Sequence, residues 1–251
     1  MPRLLASLLP LLLFLASCKR AEDLSYRVVS TRSHDAQCYT QGLEFLGPRL
    51  FESGGGYGVS TIREVDPQTG EVIRRRPMAR HVFAEGITIL NDELFVLTWK
   101  ENTAYVFEPD TFRPIRQHTY EGEGWGLTHN GSELIMSNGS STLRLIDPET
   151  FTVIRSVTVT EGSREVDQLN ELEFVDGEVF ANIYQSDRIA RIDAGTGKVT
   201  GWLDLSGLRK QLPRPHNAEV LNGIARDPAT GRFLVTGKLW PKMFEIEIMA
   251  K

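Results

Sequence analysis

Five short segments of this chain repeat one pattern: TQGLEF, AEGITIL, GWGLTHN, LNELEFV and LNGIARD. Aligned, they put Gly42, Gly86, Gly126, Glu171 and Gly223 at one position. The residue just before that position is Gln41, Glu85, Trp125, Asn170 or Asn222. That set holds one acid, three carboxamides and an indole, and no aliphatic. Farther along the same units, Ser53, Trp99, Asn138, Tyr184 and Lys238 form a second aligned set. Brought together, the two sets describe apolar walls with a few convergent polar groups, the make-up of a small-molecule pocket. A carboxylate can relay a proton, an ammonium or an amide can steady a developing oxyanion, and aromatic plates can hold a flexible substrate in one shape.

Other chemistries lack their residues. His34, His81, His118, His129 and His216 are scattered without metal-ligand spacing. There is no GxSxG, no CxxC and no phosphate loop. Gly54-Gly55-Gly56 lacks the lysine and helix of a phosphate site and reads as a turn.

The elements that must position these side chains are short strands. Each aligned segment is followed by a second apolar strand, such as Leu94 to Leu97, and a third, such as Ala104 to Phe107. In the first four units a turn and a fourth strand follow, as at Asp147-Pro148 and Val153 to Val159. The aligned positions recur at intervals of 44, 40, 45 and 52 residues. Five units of four strands at that period predict an all-β fold, a five-bladed β-propeller over residues 26–251. The first strand of each blade lines the central channel, so equivalent positions meet around one axis. The fifth unit ends after its third strand, and a spare strand, Tyr26 to Ser30, is expected to complete that last blade and cover its edge. The longer last interval is expected to hold a loop or short helix over Ser206 to Leu212. Gly124 and Gly126, flanking Trp125, are expected to let the backbone approach the axis while the indole supplies a wall.

With a net charge of −5 and scattered basic residues, the chain shows no nucleic-acid stripe. At the N-terminus, Arg3 precedes an apolar run, Leu4 to Ala16, too short for a comfortable membrane span and suited to a secretory signal. It ends in Leu15-Ala16-Ser17-Cys18, which resembles a bacterial lipobox. That resemblance implies a signal peptide over 1–17, lipid on Cys18 and a tether over 18–25. Contact with a membrane is then through the anchor alone, on the periplasmic side of a bacterial envelope, and Lys19 favours the outer membrane. Cys38 is left without a disulfide partner. No pairing element remains once the ring is closed, so a monomer is expected.

The segments HDAQCYTQGLEF, FAEGIT, LTWKENTAYVF, GWGLTHNGSELIMSNGSSTLRLIDP, LNELEFVDGEVFANIYQSDRIARID, LNGIARDP and TGKLWPKMFEI resemble the plant-type glutaminyl-peptide cyclotransferases, also called glutamine cyclotransferases. The resemblance runs from about Tyr26 to Ile248. It implies a five-bladed propeller that needs no metal or other cofactor and acts on peptides or proteins with N-terminal glutamine. The family's catalytic acid falls on Glu85, and its pocket residues fall on Gln41, Trp99, Trp125, Asn170 and Lys238. Tyr184 and Phe180 stand where tryptophan is usual or frequent, and Tyr39 replaces a usual phenylalanine. In the reaction so implied, Glu85 moves the proton, Lys238 or Asn170 steadies the oxyanion, and Gln41, Trp99, Trp125, Tyr184 and Asn222 hold the substrate. A lipid-anchored propeller that binds a small ligand or protein partner without catalysis is the other class of function open to such a chain; Glu85 and Lys238 together favour the enzyme.

Overall fold

The structure, a computed structural model, describes residues 20–251. The signal peptide, Cys18 and Lys19 therefore lie outside the described residues. Regular structure among those described is almost wholly β. Strand β1 (Glu22–Ser33) comes first. Then β2 (Thr40–Leu46), β3 (Arg49–Gly54), β4 (Thr61–Val65) and β5 (Val72–Pro77) form one antiparallel four-stranded sheet in chain order. A second such sheet holds β6 (Ala84–Leu90), β7 (Glu93–Thr98), β8 (Thr103–Phe107) and β9 (Pro114–Thr119). A third holds β10 (Leu127–His129), β11 (Leu134–Met136), β12 (Thr142–Ile146) and β13 (Val153–Thr158). A small hairpin, β14 (Thr160–Glu161) with β15 (Arg164–Glu165), follows and was not foreseen from the sequence.

The remaining strands are β16 (Leu169–Val175), β17 (Glu178–Ile183), β18 (Arg188–Asp193), β19 (Val199–Asp204), β20 (Leu221–Arg226), β21 (Phe233–Gly237) and β22 (Lys242–Ala250), with helix α1 (Ser206–Arg209) between β19 and β20. They join β1 in an eight-stranded sheet ordered β16-β17-β18-β19-β1-β22-β21-β20. Within it β1 lies antiparallel to β22 from Leu24–Ala250 to Ser33–Lys242. Its link to β19 is short and parallel, through Glu22, Asp23 and Leu24. The N-terminal strand thus pairs with the last one, as expected, but it begins at Glu22 rather than Tyr26. Residues 22–25, assigned above to a tether, are strand. The reason is local: Leu24 is buried in the core beside Leu203 and Ile246, and its neighbours pair with β19.

The core lies between neighbouring sheets. Leu43, Leu50 and Val65 pack with Ala225, Leu234 and Met243; Phe51 and Ile62 pack with Ile87, Leu94 and Val96. The fold is all-β and propeller-like. Its first strands approach one another closely: β2 touches β6 and β20, β10 touches β6 and β16, and β16 touches β20. A Cβ on Gly126 would collide with the Asn170 carbonyl, and one on Gly86 with the backbone of Trp125 to Leu127. Glycine at the aligned position is what lets adjacent first strands pack backbone to backbone. The exception, Glu171, sends its carboxylate across to the others: it accepts from Leu43 N at 3.2 Å and Ile224 N at 2.8 Å.

Candidate active site

Register slips at the aligned positions. Pairing is irregular between Thr40 and Gly42, Ala84 and Ile87, Leu169 and Leu172, and Leu221 and Ile224. Such bulges re-aim a side chain away from the plain alternation of a strand. The slips fall at Gln41, Glu85, Asn170 and Asn222. At the remaining unit Trp125 precedes β10, and its N–H bonds the Ser137 carbonyl at 3.0 Å.

A cavity of about 230 Å³ opens there. Gln41, Glu85, Trp99, Trp125, Asn170, Tyr184 and Lys238 all line it. Tyr39 and Phe83 complete the wall. Of the two, Tyr39 entered the sequence reading only as a substitution, and Phe83 was missed. A signal for both existed: each lies two residues before an aligned position, where alternate strand residues share a face.

Three residues of the aligned sets do not face the cavity. Asn222 is fully buried, and its amide donates to the Thr40 carbonyl at 3.0 Å and to Gln41 Oε1 at 3.2 Å. Gln41 in turn donates through Nε2 to Glu85 Oε1 at 3.0 Å. Asn222, expected at the substrate, therefore does not line the cavity but stands behind Gln41, which its amide nitrogen holds. Ser53 donates to the Glu85 carbonyl at 2.6 Å. Asn138 caps a turn through Ser140. Phe180 packs into the core against Phe233, with ring centroids 5.0 Å apart, rather than lining the cavity.

Glu85 is 4% exposed. Burial pushes its carboxyl well above the usual carboxylate range; Lys238 pulls it back, and Glu123 and Glu101 push it further up. Burial likewise lowers the Lys238 ammonium, against the pull of Glu85 and Glu219. The Lys238 Nζ lies 4.7 Å from the Tyr39 ring centre and 5.2 Å from that of Tyr184, both cation–π contacts. Asn170 Oδ1 is buried without a hydrogen-bond partner. A desolvated carboxylate and a desolvated ammonium in one cavity can exchange a proton with a substrate and can steady negative charge.

The donor set of this cavity is poor for a metal, since it has one carboxylate and no histidine. Elsewhere among the described residues, His34, Cys38 and Glu52 bring potential ligand atoms within 4.8 Å of one another, a proximity that sequence spacing did not show. That group is already bonded internally. His34 faces the Trp240 carbonyl at 2.6 Å through Nδ1 and Glu52 at 2.8 Å through Nε2. Burial lowers the imidazole's pKa, but Glu52 and the Trp240 carbonyl more than offset this and raise it overall. Against its own burial, Glu52 is held down to about 2 by His34 and Arg63. It is a buried ion-paired network, outside the cavity.

The matches to known proteins agree with this geometry. The family model described as glutamine cyclotransferase matches residues 5–248. The chain belongs to the glutamine cyclotransferase family. It is 42% identical over 237 residues to the glutaminyl-peptide cyclotransferase of Arabidopsis thaliana, covering 90% of this chain and 73% of that one. The solved structure of Myxococcus xanthus glutaminyl cyclase superposes with a TM-score of 0.85 at 32% identity, covering 92% of this chain and 99% of that one. The resemblance first read from the TQGL, LNELE and TGKLWP blocks is borne out.

Proposed function

We propose that this protein is a glutaminyl-peptide cyclotransferase, converting N-terminal glutamine of peptides or proteins to pyroglutamate with release of ammonia. The observation that carries the reading is Glu85: a buried carboxylate with a raised pKa, oriented by Gln41 in an aromatic cavity, in a chain of this family. In the reaction the substrate's neutral α-amine attacks its own side-chain carboxamide carbon. A ring C–N bond forms and the bond to the amide nitrogen breaks. Glu85 takes the proton released by the amine and returns it to the departing nitrogen, so the ammonia leaves neutral and the enzyme is restored. The raised pKa suits the return step. Lys238, with Asn170, steadies the oxyanion of the tetrahedral intermediate. Trp99, Trp125 and Tyr184 hold the glutamine side chain bent towards its amine, which removes part of the entropic barrier. Ammonia release from a glutamine-initiated dipeptide tests the reading; none at any enzyme concentration would defeat it.

Five blades are the finer form of the fold. Three separate four-stranded sheets support this, as does the eight-stranded sheet, which divides at the short β1–β19 seam into two further sets of four. A lipid anchor on Cys18, a location on the periplasmic side of a bacterial envelope with the anchor in the outer membrane, metal independence and a monomeric state complete the proposal. The first two rest on the Leu15 to Cys18 sequence.

A further inference from the structure

The cavity wall is built in two aromatic arms. In one, Tyr39 meets Phe83 edge-on at 6.3 Å between ring centres, and Phe83 meets Trp99 at 5.5 Å. In the other, Trp125 meets Tyr184 edge-on at 5.4 Å. On one side Lys238 joins the arms by lying over both tyrosines. On the other side no ring contact joins Trp99 to Trp125. A single atom does so. Glu123 Oε2 accepts from Trp99 Nε1 at 2.8 Å and from Trp125 Nε1 at 2.9 Å. Glu123 stands two residues before Trp125, the same offset that places Tyr39 and Phe83 in the wall.

We propose that Glu123 is a positioning residue that closes this ring of side chains and fixes the spacing of the two tryptophans between which the substrate's glutamine must fold. The inference rests on the cyclotransferase reading of the cavity. An indole has one polar edge, and bonding both edges to one oxygen sets the two plates at a fixed separation. Two hydrogen bonds to one acceptor oxygen hold this geometry although the Glu123 side chain is 39% exposed. Lys100, 3.8 Å from Glu123 Oε1 and stacked on Trp99, helps to aim the carboxylate. Glu123 does not touch the reacting atoms. Its loss loosens both walls and weakens the hold on the bent substrate.

The test compares Glu123→Gln with Glu123→Ser, using ammonia release from a glutaminyl dipeptide and the near-ultraviolet circular dichroism of the indoles. Gln keeps an acceptor oxygen at the same reach but no charge; Ser is polar and too short to reach either indole. Ser is expected to raise KM on the order of 10- to 100-fold, with kcat falling much less, and to change the indole spectrum. Gln is expected to stay within about three-fold of the parent in KM and to keep its spectrum. If Gln is as impaired as Ser, the residue acts through its charge and the clasp is refuted. Equal KM and spectrum in Ser and the parent refute it too. A parent that releases no ammonia, with the spectrum still changed by Ser and kept by Gln, defeats the cyclotransferase reading and leaves the ring standing.

Discussion

Glu85 owes its proposed role to two neighbours and to burial. Asn222 holds Gln41, Gln41 holds Glu85, and burial raises the carboxyl's pKa well above that of an exposed glutamate, which suits it to return a proton. Glu85→Gln preserves size and bonding but removes the relay, so kcat should fall on the order of a hundred- to ten-thousand-fold. KM should move far less, since the proposal gives the binding to the aromatic wall. Steady-state kinetics on a glutaminyl dipeptide checks this. Near-normal turnover in Glu85→Gln, with loss in Glu171→Gln, would move the relay to the wrong carboxylate for this proposal. In the parent enzyme the acid limb of kcat/KM should lie above the ordinary glutamate range, because the base works only when deprotonated. Glu85, Lys238 and the tryptophans were legible in the sequence because a repeat brings equivalent positions to one place. Asn222 was legible as a member of the ring but not in its orientation, which a bulge decides. Glu123 was not legible: that one oxygen meets two indoles is a matter of tertiary distance, and no spacing encodes it. The cavity offers one carboxylate and no imidazole, and both nitrogens of His34 are bonded elsewhere. Dialysis against a strong chelator should leave turnover unchanged; a loss restored by zinc would overturn metal independence.

Among the elements, the first strands carry an unusual load of buried acid. Below the aligned ring, Glu44 on β2 accepts from Thr88 Oγ1 at 2.8 Å, and Glu173 on β16 accepts from Arg226 N at 2.9 Å. Burial pushes Glu44 up to about 8, against the Thr88 bond. It also raises Glu171 and Glu173 well above the usual range, against their backbone donors. A raised carboxyl pKa means that the folded chain keeps protons which the unfolded chain has released. Stability must then fall as pH rises from the ordinary 4.5 to about 8. His34, raised by Glu52 despite its burial, adds the same sign above its ordinary 6.5. Glu52, held down to about 2, acts the other way, losing its contribution only as pH falls below 4.5. The melting temperature should therefore be higher at pH 5 than at pH 8, by at least about 4 °C. Glu44→Gln, which can still accept from Thr88, should flatten that slope. A melting temperature that rises between the two pH values would contradict the assignment. The strand order was readable from the repeat, and so was the position of α1 in the long interval. The hairpin of β14 and β15 was not, because two-residue strands carry no periodicity.

At the scale of the whole molecule, two ends decide how the protein is held. Cys18→Ser should release full-length protein from membranes and leave turnover intact; retention in the membrane fraction at high salt would sink the lipid anchor. The other end is closure. β1 is the strand with which β22 pairs along its whole length, and its Leu24 is buried among Leu203, Phe244 and Ile246. Without it, the Lys242–Ala250 strand presents a long unpaired edge, an invitation to aggregation. The core between β19 and β22 opens as well. The loss cannot stay local. His34, one residue past the strand, bonds the Trp240 carbonyl, and Trp240 in turn bonds the Glu219 carbonyl beside Lys238. Closure and cavity thus share the segment from Gly237 to Lys242. Deletion through Thr31 should lower the melting temperature by more than about 10 °C or leave the domain insoluble. Any folded remnant should bind substrate more weakly, because Lys238 and Tyr39 no longer have a fixed frame. A melting temperature unchanged by that deletion would show that β22 needs no partner and that the ring is not closed by the N-terminal strand.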